Sequence, residues 1–260
     1  VSPANPVVIY RVCGHVCCVN SKALKILSIT EKTAPPPGGE IEKDPETGEP
    51  TGILKETAAM MVTNFISFSD DELYNMLKLA CMDAVRHGLT SVHCIVSTFQ
   101  QIKVFRKLFE NGDLPLRVHL LPFVTLPLNK VLELKKSLEP IREYLDIGGV
   151  KIILDGSLGA RTAALTEPYS DDPENTGILW FDEKVLSDLV ERVHKEGLQV
   201  AIHCIGDRAV QIALNSLENV LKKIPREDHR HRIEHASVLN KNLIERMGKL
   251  KVIASVQPHF

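Results

Sequence analysis

The stretch Val150-Lys151-Ile152-Ile153-Leu154-Asp155-Gly156-Ser157-Leu158-Gly159-Ala160-Arg161 sets a lysine inside a short apolar run and closes that run with a glycine-rich turn. A run of this length and composition reads as a buried strand. An ammonium group inside one is costly unless it is paired, neutralised or able to reach water. Either Lys151 snorkels to the strand mouth with its head in water, or chemistry at a site removes its charge. Two later strand-like runs that each end on a histidine favour the second reading. They are Leu198-Gln199-Val200-Ala201-Ile202-His203-Cys204 and the run from Arg230 to His235.

Outward from this stretch, strands and helices alternate. Ser69 followed by Glu72 reads as a capping box. It opens a helix with Leu73, Met76, Leu77, Ala80 and Ala84 at helical spacing, stopped by Gly88. Apolar strands are predicted over 89–96, 116–123, 150–155, 198–204, 230–235 and 252–256. Helices fill the intervals, among them 128–145 and one opening near Asp207. Such alternation means a parallel sheet with right-handed crossovers. An open doubly wound sheet would place a phosphate-cradling glycine loop after an early strand, and no such motif stands there. The expected fold class is therefore α/β, a TIM-like (β/α)8 barrel, incomplete in this chain with six units of eight. Residues 67–260 form the expected barrel core. Residues 1–66, punctuated by Pro35-Pro36-Pro37-Gly38-Gly39 and by Asp44 to Pro50, read as an irregular insertion over the barrel mouth.

With 260 residues, 44% hydrophobic, and a formal net charge of −2, the chain suits one large globular domain. The near-neutral balance gives no electrostatic footprint for nucleic acid or an anionic membrane. No apolar run approaches the roughly 18 residues of a membrane span. The opening Val1-Ser2-Pro3-Ala4-Asn5-Pro6 lacks the pattern of a signal peptide. A start without Met and an end just after an apolar run read as an excised piece of a longer protein. Six cysteines in irregular spacing fit no zinc-finger or disulfide framework, so reduced thiols and a cytoplasmic location are expected.

In a barrel, chemistry gathers at the carboxyl ends of the strands. Those ends are His93, Phe123, Lys151 with Asp155, His203, His235, and Gln257 with His259. Imidazole is the commonest ligand for zinc-like metals, and His203 and His235 fall on adjacent predicted strands. Asp155 is expected to hydrogen-bond the following turn, Asp207 to cap its helix and Glu234 to pair with Arg232. Arg161 either clamps a substrate carboxylate or carbonyl or pairs with Asp171 or Asp172. His15 is placed in a substrate pocket formed by the insertion, and Gln257 within reach of substrate. His229 and His231, with Arg226 and Arg230, read as a solvated charged turn.

These residues carry a resemblance. The segments Val150-Lys151-Ile152, Asp155 to Gly159, Arg161 to Leu165, His203 to Ala209, Arg232 to Ala236 and Ser255 to His259 resemble the amidohydrolase superfamily, within it the YtcJ-like branch of metal-dependent hydrolases. Upstream, Gly14-His15 and Asn20 to Leu24 resemble that branch as well. The resemblance implies a lysine on the fourth barrel strand and a histidine on each of the fifth and sixth. Carried across, Lys151, His203 and His235 are the catalytic and metal-ligating residues. Lys151 is then carboxylated by CO2, with one or two divalent ions, zinc by expectation. Metal-activated water attacks the carbonyl of a small amide-type substrate. Deamination of a heterocycle, or a non-catalytic barrel fragment, are the alternatives. The family's His-x-His on the first strand and aspartate on the eighth are absent from these residues. Half a metal site and weak metal binding are therefore expected, with self-association to a homodimer through open strand edges.

Overall fold

A computed structural model describes residues 2–63 and 65–258, so His259 lies outside the described residues. Residues 2–63 hold β1 (Val8–Tyr10), β2 (Val16–Val19), α1 (Ser21–Ile26), β3 (Gly39–Lys43), β4 (Pro50–Glu56) and α2 (Thr57–Thr63). The strands form an antiparallel sheet in the order β1-β2-β4-β3. The irregular segment expected from its prolines and glycines is thus an ordered unit with its own core of Cys17, Val19, Ile41, Leu54, Ala58 and Val62. Those residues mark a hairpin instead. The Asp44 carboxylate accepts from the amides of Glu46 and Thr47, and Gly48 takes φ +73° to complete the turn.

The rest alternates as the sequence predicts. In order come α3 (Asp70–Arg86), β5 (Ser91–Ser97), α4 (Phe99–Glu110), β6 (Arg117–Pro122), α5 (Leu128–Leu138), β7 (Leu145–Ile147) and β8 (Gly149–Ile153). Then follow α6 (Glu183–Lys195), β9 (Gln199–Cys204), α7 (Asp207–Lys223), β10 (Arg232–His235), α8 (Lys241–Lys249) and β11 (Ile253–Ser255). Ser69 and Glu72 make the predicted capping box of α3. The helix expected over 128–145 stops at Leu138, because Glu139-Pro140-Ile141 tightens into a 3-10 turn and Leu145 opens β7.

All the later strands pair in parallel, as β5-β6-β7 and as β8-β9-β10-β11. A single bridge between Phe123 and Lys151 joins the two sets. β7 and β8 are two halves of one strand, divided at Gly148, where a Cβ would overlap the imidazole of His119. The joined sheet curls. Arg232 on β10 meets the ring of His93 on β5 at 2.6 Å although those strands do not pair. Among the described residues β5 and β11 stay unpaired at the outer edges, so the pairings show parallel α/β sheets without a closed ring. Outside the curl, Ile152, Leu154, Val200, Ile202, Leu214 and Ile233 pack fully buried against α6, α7 and α8. No helix among the described residues is long and apolar enough to cross a membrane.

At the amino ends of β9 and β10 the expected solvated turn is a buried histidine cluster. His231 is 0% exposed and His229 4%. His231 Nδ1 accepts from the Val200 amide at 3.0 Å, so its Nε2–H donates to His194 Nδ1 at 2.8 Å, and His194 Nε2–H donates in turn to the Ile224 carbonyl at 2.9 Å. His229 accepts from the His231 amide and donates to the Leu250 carbonyl. This closed set of donors and acceptors works only with neutral rings. Spacing alone could not show it, since Arg226 and Arg230 make the segment look polar.

Acid should therefore unfold the protein early. Burial, and then the charges of His229, Arg226 and His194, push His231 from 6.5 down to about 2. Unfolded imidazoles take up protons near pH 6.5 while this one does not. Its contribution is thus whole above that pH and is lost as pH falls through the window toward 2, at about 1.4 kcal/mol per pH unit. Urea midpoints at pH 7 and pH 5 should show the drop. His231→Asn should lower the pH 7 value and flatten the slope, and an unchanged slope would contradict a neutral network.

Candidate metal centre

β8, β9 and β10 lie side by side in register, with Lys151 opposite Ala201, and Ile153, His203 and Glu234 on one row. Alternation along a strand sends Lys151, His203, Arg232 and Glu234 to the inner face. Lys151 is 1% exposed and its Nζ has no hydrogen-bond partner. Burial lowers its pKa from 10.5 to about 8, against a raising influence from Glu234 and Cys204. The snorkelling alternative therefore fails: the head of this lysine does not reach water. Arg232 and Glu234 make the expected ion pair at 2.6 Å.

His203 and His235 come together at the carboxyl ends of β9 and β10, their ring centroids 4.5 Å apart. His203 Nε2–H donates to the Gly156 carbonyl at 2.9 Å, which leaves Nδ1 as its free lone pair. His235 Nδ1–H donates to Gln257 Oε1 at 2.8 Å, which leaves Nε2. Each ring thus has its tautomer fixed by an oxygen, the arrangement that orients histidines as metal ligands. Burial, then neighbouring charge from His15, His235 and Lys151, holds His203 well below 6.5, in the neutral form a ligand needs. His235 is likewise lowered, first by burial. His235 and Ala236 take φ +74° and +47°, a strained pair of non-glycine residues at the strand end.

Asp155 ties this end of the sheet together. Its carboxylate accepts from the amides of Ala164 at 3.0 Å, Ile205 at 2.9 Å and Gly206 at 2.8 Å, and lies 3.5 Å from His203 Nε2. Burial pushes its pKa up to about 7 while the three amides pull it down. Its partners are thus the loops after β8 and β9, a wider span than the adjoining turn expected of it.

A cavity of about 790 Å³ opens above the two histidines, lined among others by Arg11, His15, Ser157, His203, His235 and Gln257. Of the residues expected to bind substrate, His15 lines it. Gln257 lines it too, but its amide oxygen is committed to His235. Arg161 is not brought there: it takes φ +54° and forms a two-pronged pair with Asp171 on the surface, at 2.6 Å for Nη2. Arg11 stands at the cavity instead and donates to the Gly159 carbonyl. Asp207 does not cap through its side chain; Gly206 holds the N-cap position, and Asp207 Oδ1 accepts from the Thr166 amide. Phe123 supplies the bridge between the two sheets, and His93 pairs with Arg232 rather than with the cavity.

One residue bound into this site escaped the sequence reading. Glu56, 2% exposed, accepts from His15 Nδ1 at 2.8 Å, Trp180 Nε1 at 3.0 Å and Thr162 Oγ1 at 2.6 Å. Its signal was a carboxylate placed on the buried row of the alternating strand Gly52-Ile53-Leu54-Lys55-Glu56, where Gly52, Leu54 and Glu56 all lie inward.

The fit to a divalent ion is partial. Among the described residues no three His, Cys, Asp or Glu side chains gather as a metal-holding group. Two imidazoles with free lone pairs stand beside a buried, unpartnered amine, and that donor set lacks an anionic oxygen. Comparison with known proteins gives the context. The Amidohydrolase family profile matches residues 1–260. YtcJ of Bacillus subtilis, whose name designates it an amidohydrolase, is 36% identical over 99% of this chain and 48% of its own length. The N-substituted formamide deformylase of Arthrobacter pascens is 28% identical over 99% of this chain and 49% of its own. An uncharacterised metal-dependent hydrolase from Pyrococcus horikoshii, known from its crystal structure, is 33% identical, with a TM-score of 0.72 over 98% of this chain and 49% of that one. The chain spans about half the length of the curated relatives it matches. With its parallel α/β sheets, its paired histidines and a profile match along its whole length, the chain belongs to the amidohydrolase family.

Proposed function

We propose that this chain is the lysine- and histidine-bearing portion of a metal-dependent hydrolase that cleaves the C–N bond of small amide-type molecules, on an incomplete (β/α)8 barrel. The observation that carries the reading is Lys151 Nζ, buried without a partner beside two imidazoles whose tautomers are fixed. Only a neutral amine attacks CO2, and a pKa of about 8 makes about a tenth of Lys151 neutral at pH 7, where an ordinary lysine is almost wholly charged. The N–C bond forms, one proton leaves, and the product is a carbamate anion. That change supplies the missing anionic oxygen and removes the cost of burying a cation. Lys151, His203 Nδ1 and His235 Nε2 would then hold the ion. Nitrogen and oxygen donors of this kind suit zinc, though they also suit other divalent metals.

A bound divalent ion would polarise a substrate carbonyl and acidify water. The chain's own residues do the rest. Gly156 and Gln257 fix the two ligand rings, Asp155 fixes the loops that carry them, and the cavity walls of Arg11, His15 and Ser157 position a small molecule. The name of the Arthrobacter pascens relative, a formamide deformylase, supports C–N cleavage as the bond type. Six free cysteines are in keeping with a cytoplasmic location. The unpaired edges at β5 and β11, with Ile95 and Ile253 exposed, support a homodimer.

Two outcomes are expected. The full-length protein carrying this chain, loaded with zinc and 13C-bicarbonate, should show a carbamate carbon signal and release amine from simple amides. In Lys151→Met the signal and amine release should vanish and zinc content fall at least tenfold; amide hydrolysis persisting in that variant would refute the reading. Without metal, Lys151→Met should raise stability by about 1–3 kcal/mol, because methionine fills the same volume with no polar nitrogen to bury. Denaturant melts of the two metal-free proteins give the sign.

A further inference from the structure

Glu56 and His15 reach the cavity from the antiparallel unit, and the holding of an ion uses neither. Glu56 sits at φ +54°, a left-handed conformation that costs a residue with a side chain roughly 1–2 kcal/mol. Its carboxylate is saturated by donors from three separate parts of the chain. The backbone around it makes room, since a Cβ at Gly156 would overlap both the Glu56 carboxylate and Thr162. Directions within the network are forced. The Ser157 amide donates to Thr162 Oγ1 at 3.0 Å, so the Thr162 hydroxyl hydrogen goes to Glu56. A carboxylate accepts only, so the hydrogen on His15 is on Nδ1.

One unspent group remains at the cavity wall. His15 Nε2 has no hydrogen-bond partner among the described residues, and its ring lies 4.8 Å from that of His203. With the ring neutral, that nitrogen is an acceptor held rigidly by Glu56. Ser157 lines the same wall, but its unpartnered hydroxyl is buried out of a ligand's reach. A ligand N–H that meets His15 Nε2 gains a hydrogen bond that its oxygen isostere cannot make.

We propose that His15 forms a subsite that reads an amide N–H, with His15 Nε2 accepting the substrate N–H and Glu56 as the positioning residue that fixes His15. The cavity then takes secondary amides, R–CO–NH–R′, in preference to esters and tertiary amides. This deepens the amide-hydrolase reading and takes its substrate class from it, yet it concerns binding and needs neither ion nor turnover.

Trp180 supplies the readout. It is the single tryptophan of the chain, and its indole N–H rests on Glu56. The metal-free chain is titrated with N-butylacetamide and with butyl acetate, which replaces NH by O without added bulk, and Trp180 fluorescence follows binding. The amide should bind about tenfold more tightly, equivalent to about 1.4 kcal/mol or one net hydrogen bond. His15→Phe should bring the ratio within twofold. Glu56→Gln should do the same through a freed imidazole, and if that variant does not fold, His15→Phe decides alone. Ser157→Ala should keep the ratio. Equal affinities in the unaltered chain, a ratio that survives His15→Phe, or no measurable binding of either probe would overturn the subsite. A ratio that collapses on adding zinc would overturn it too, by showing the lone pair spent on the ion. Loss of hydrolysis with the ratio intact would count against the hydrolase reading and leave the subsite standing.

Discussion

Three backbone amides on one buried carboxylate hold the loops at the carboxyl end of the parallel sheet in shape. Asp155 leaves β8 and at once collects Ala164, Ile205 and Gly206. Those amides belong to the long loop after its own strand and to the turn after the next one. Parallel strands are joined through helices on the far side of the sheet, so nothing in their ladder fixes the loops at their carboxyl ends to one another. A single anion with several lone-pair sites does so, and each charge-assisted bond is stronger than a neutral one. Without it, Gly156 would not present its carbonyl to His203, and the ring would lose the contact that sets its tautomer.

The antiparallel unit is bound into the same scheme by a second carboxylate. Glu56 ends β4 and receives donors from His15 in its own unit and from Thr162 and Trp180 across the boundary. The two carboxylates face neighbouring stretches of one loop: Asp155 takes the amide of Ala164, and Glu56 the hydroxyl of Thr162. The loop from Gly156 to Ala164 is thereby pinned from two sides, although its sequence has few apolar side chains with which to pack. Burying two carboxylates is tolerable because almost every lone pair finds a donor.

What the sequence made legible follows from the range of the physics involved. Periodicity and capping are local, and α3, with its Ser69–Glu72 box, and the parallel strands on either side of Lys151 stand where those signals put them. Lys151, His203 and His235 stand out in the sequence because a charge or an imidazole in an apolar run violates a local rule, and the fold buries the amine and brings the two rings together. The antiparallel unit was misread since Pro35 to Gly39 and Asp44 to Pro50 are turn signals whichever structure they join, and β3 alternates Glu40-Ile41-Glu42 over too few residues to stand out. Arg161 was ambiguous for a related reason. A guanidinium in a loop finds whichever carboxylate the fold brings near, and here that is Asp171, ten residues on. For Glu56 the sequence holds only its place on the buried row of β4; its role was out of reach, because two of its three partners lie more than a hundred residues away.

The histidines at the two ends of the sheet show what separates a fully committed ring from one with a nitrogen to spare. At the amino ends, His231 spends both nitrogens, one on the Val200 amide and one on His194, and His194 and His229 are committed on both sides as well. At the carboxyl ends, His15, His203 and His235 each give one N–H to a fixed oxygen and keep the other lone pair unclaimed. Burial alone does not distinguish the two sets, for His203 and His229 are each 4% exposed. Nor does the direction of their titration, since burial lowers His231 and His203 alike. The difference is a count of unspent acceptors. The three unclaimed nitrogens are not sealed in the interior, whereas the amine of Lys151 is buried without a partner. Three open acceptors around one cavity, on rings whose other nitrogens are spent, mark a surface that can meet a ligand, and no single residue type marks it as well.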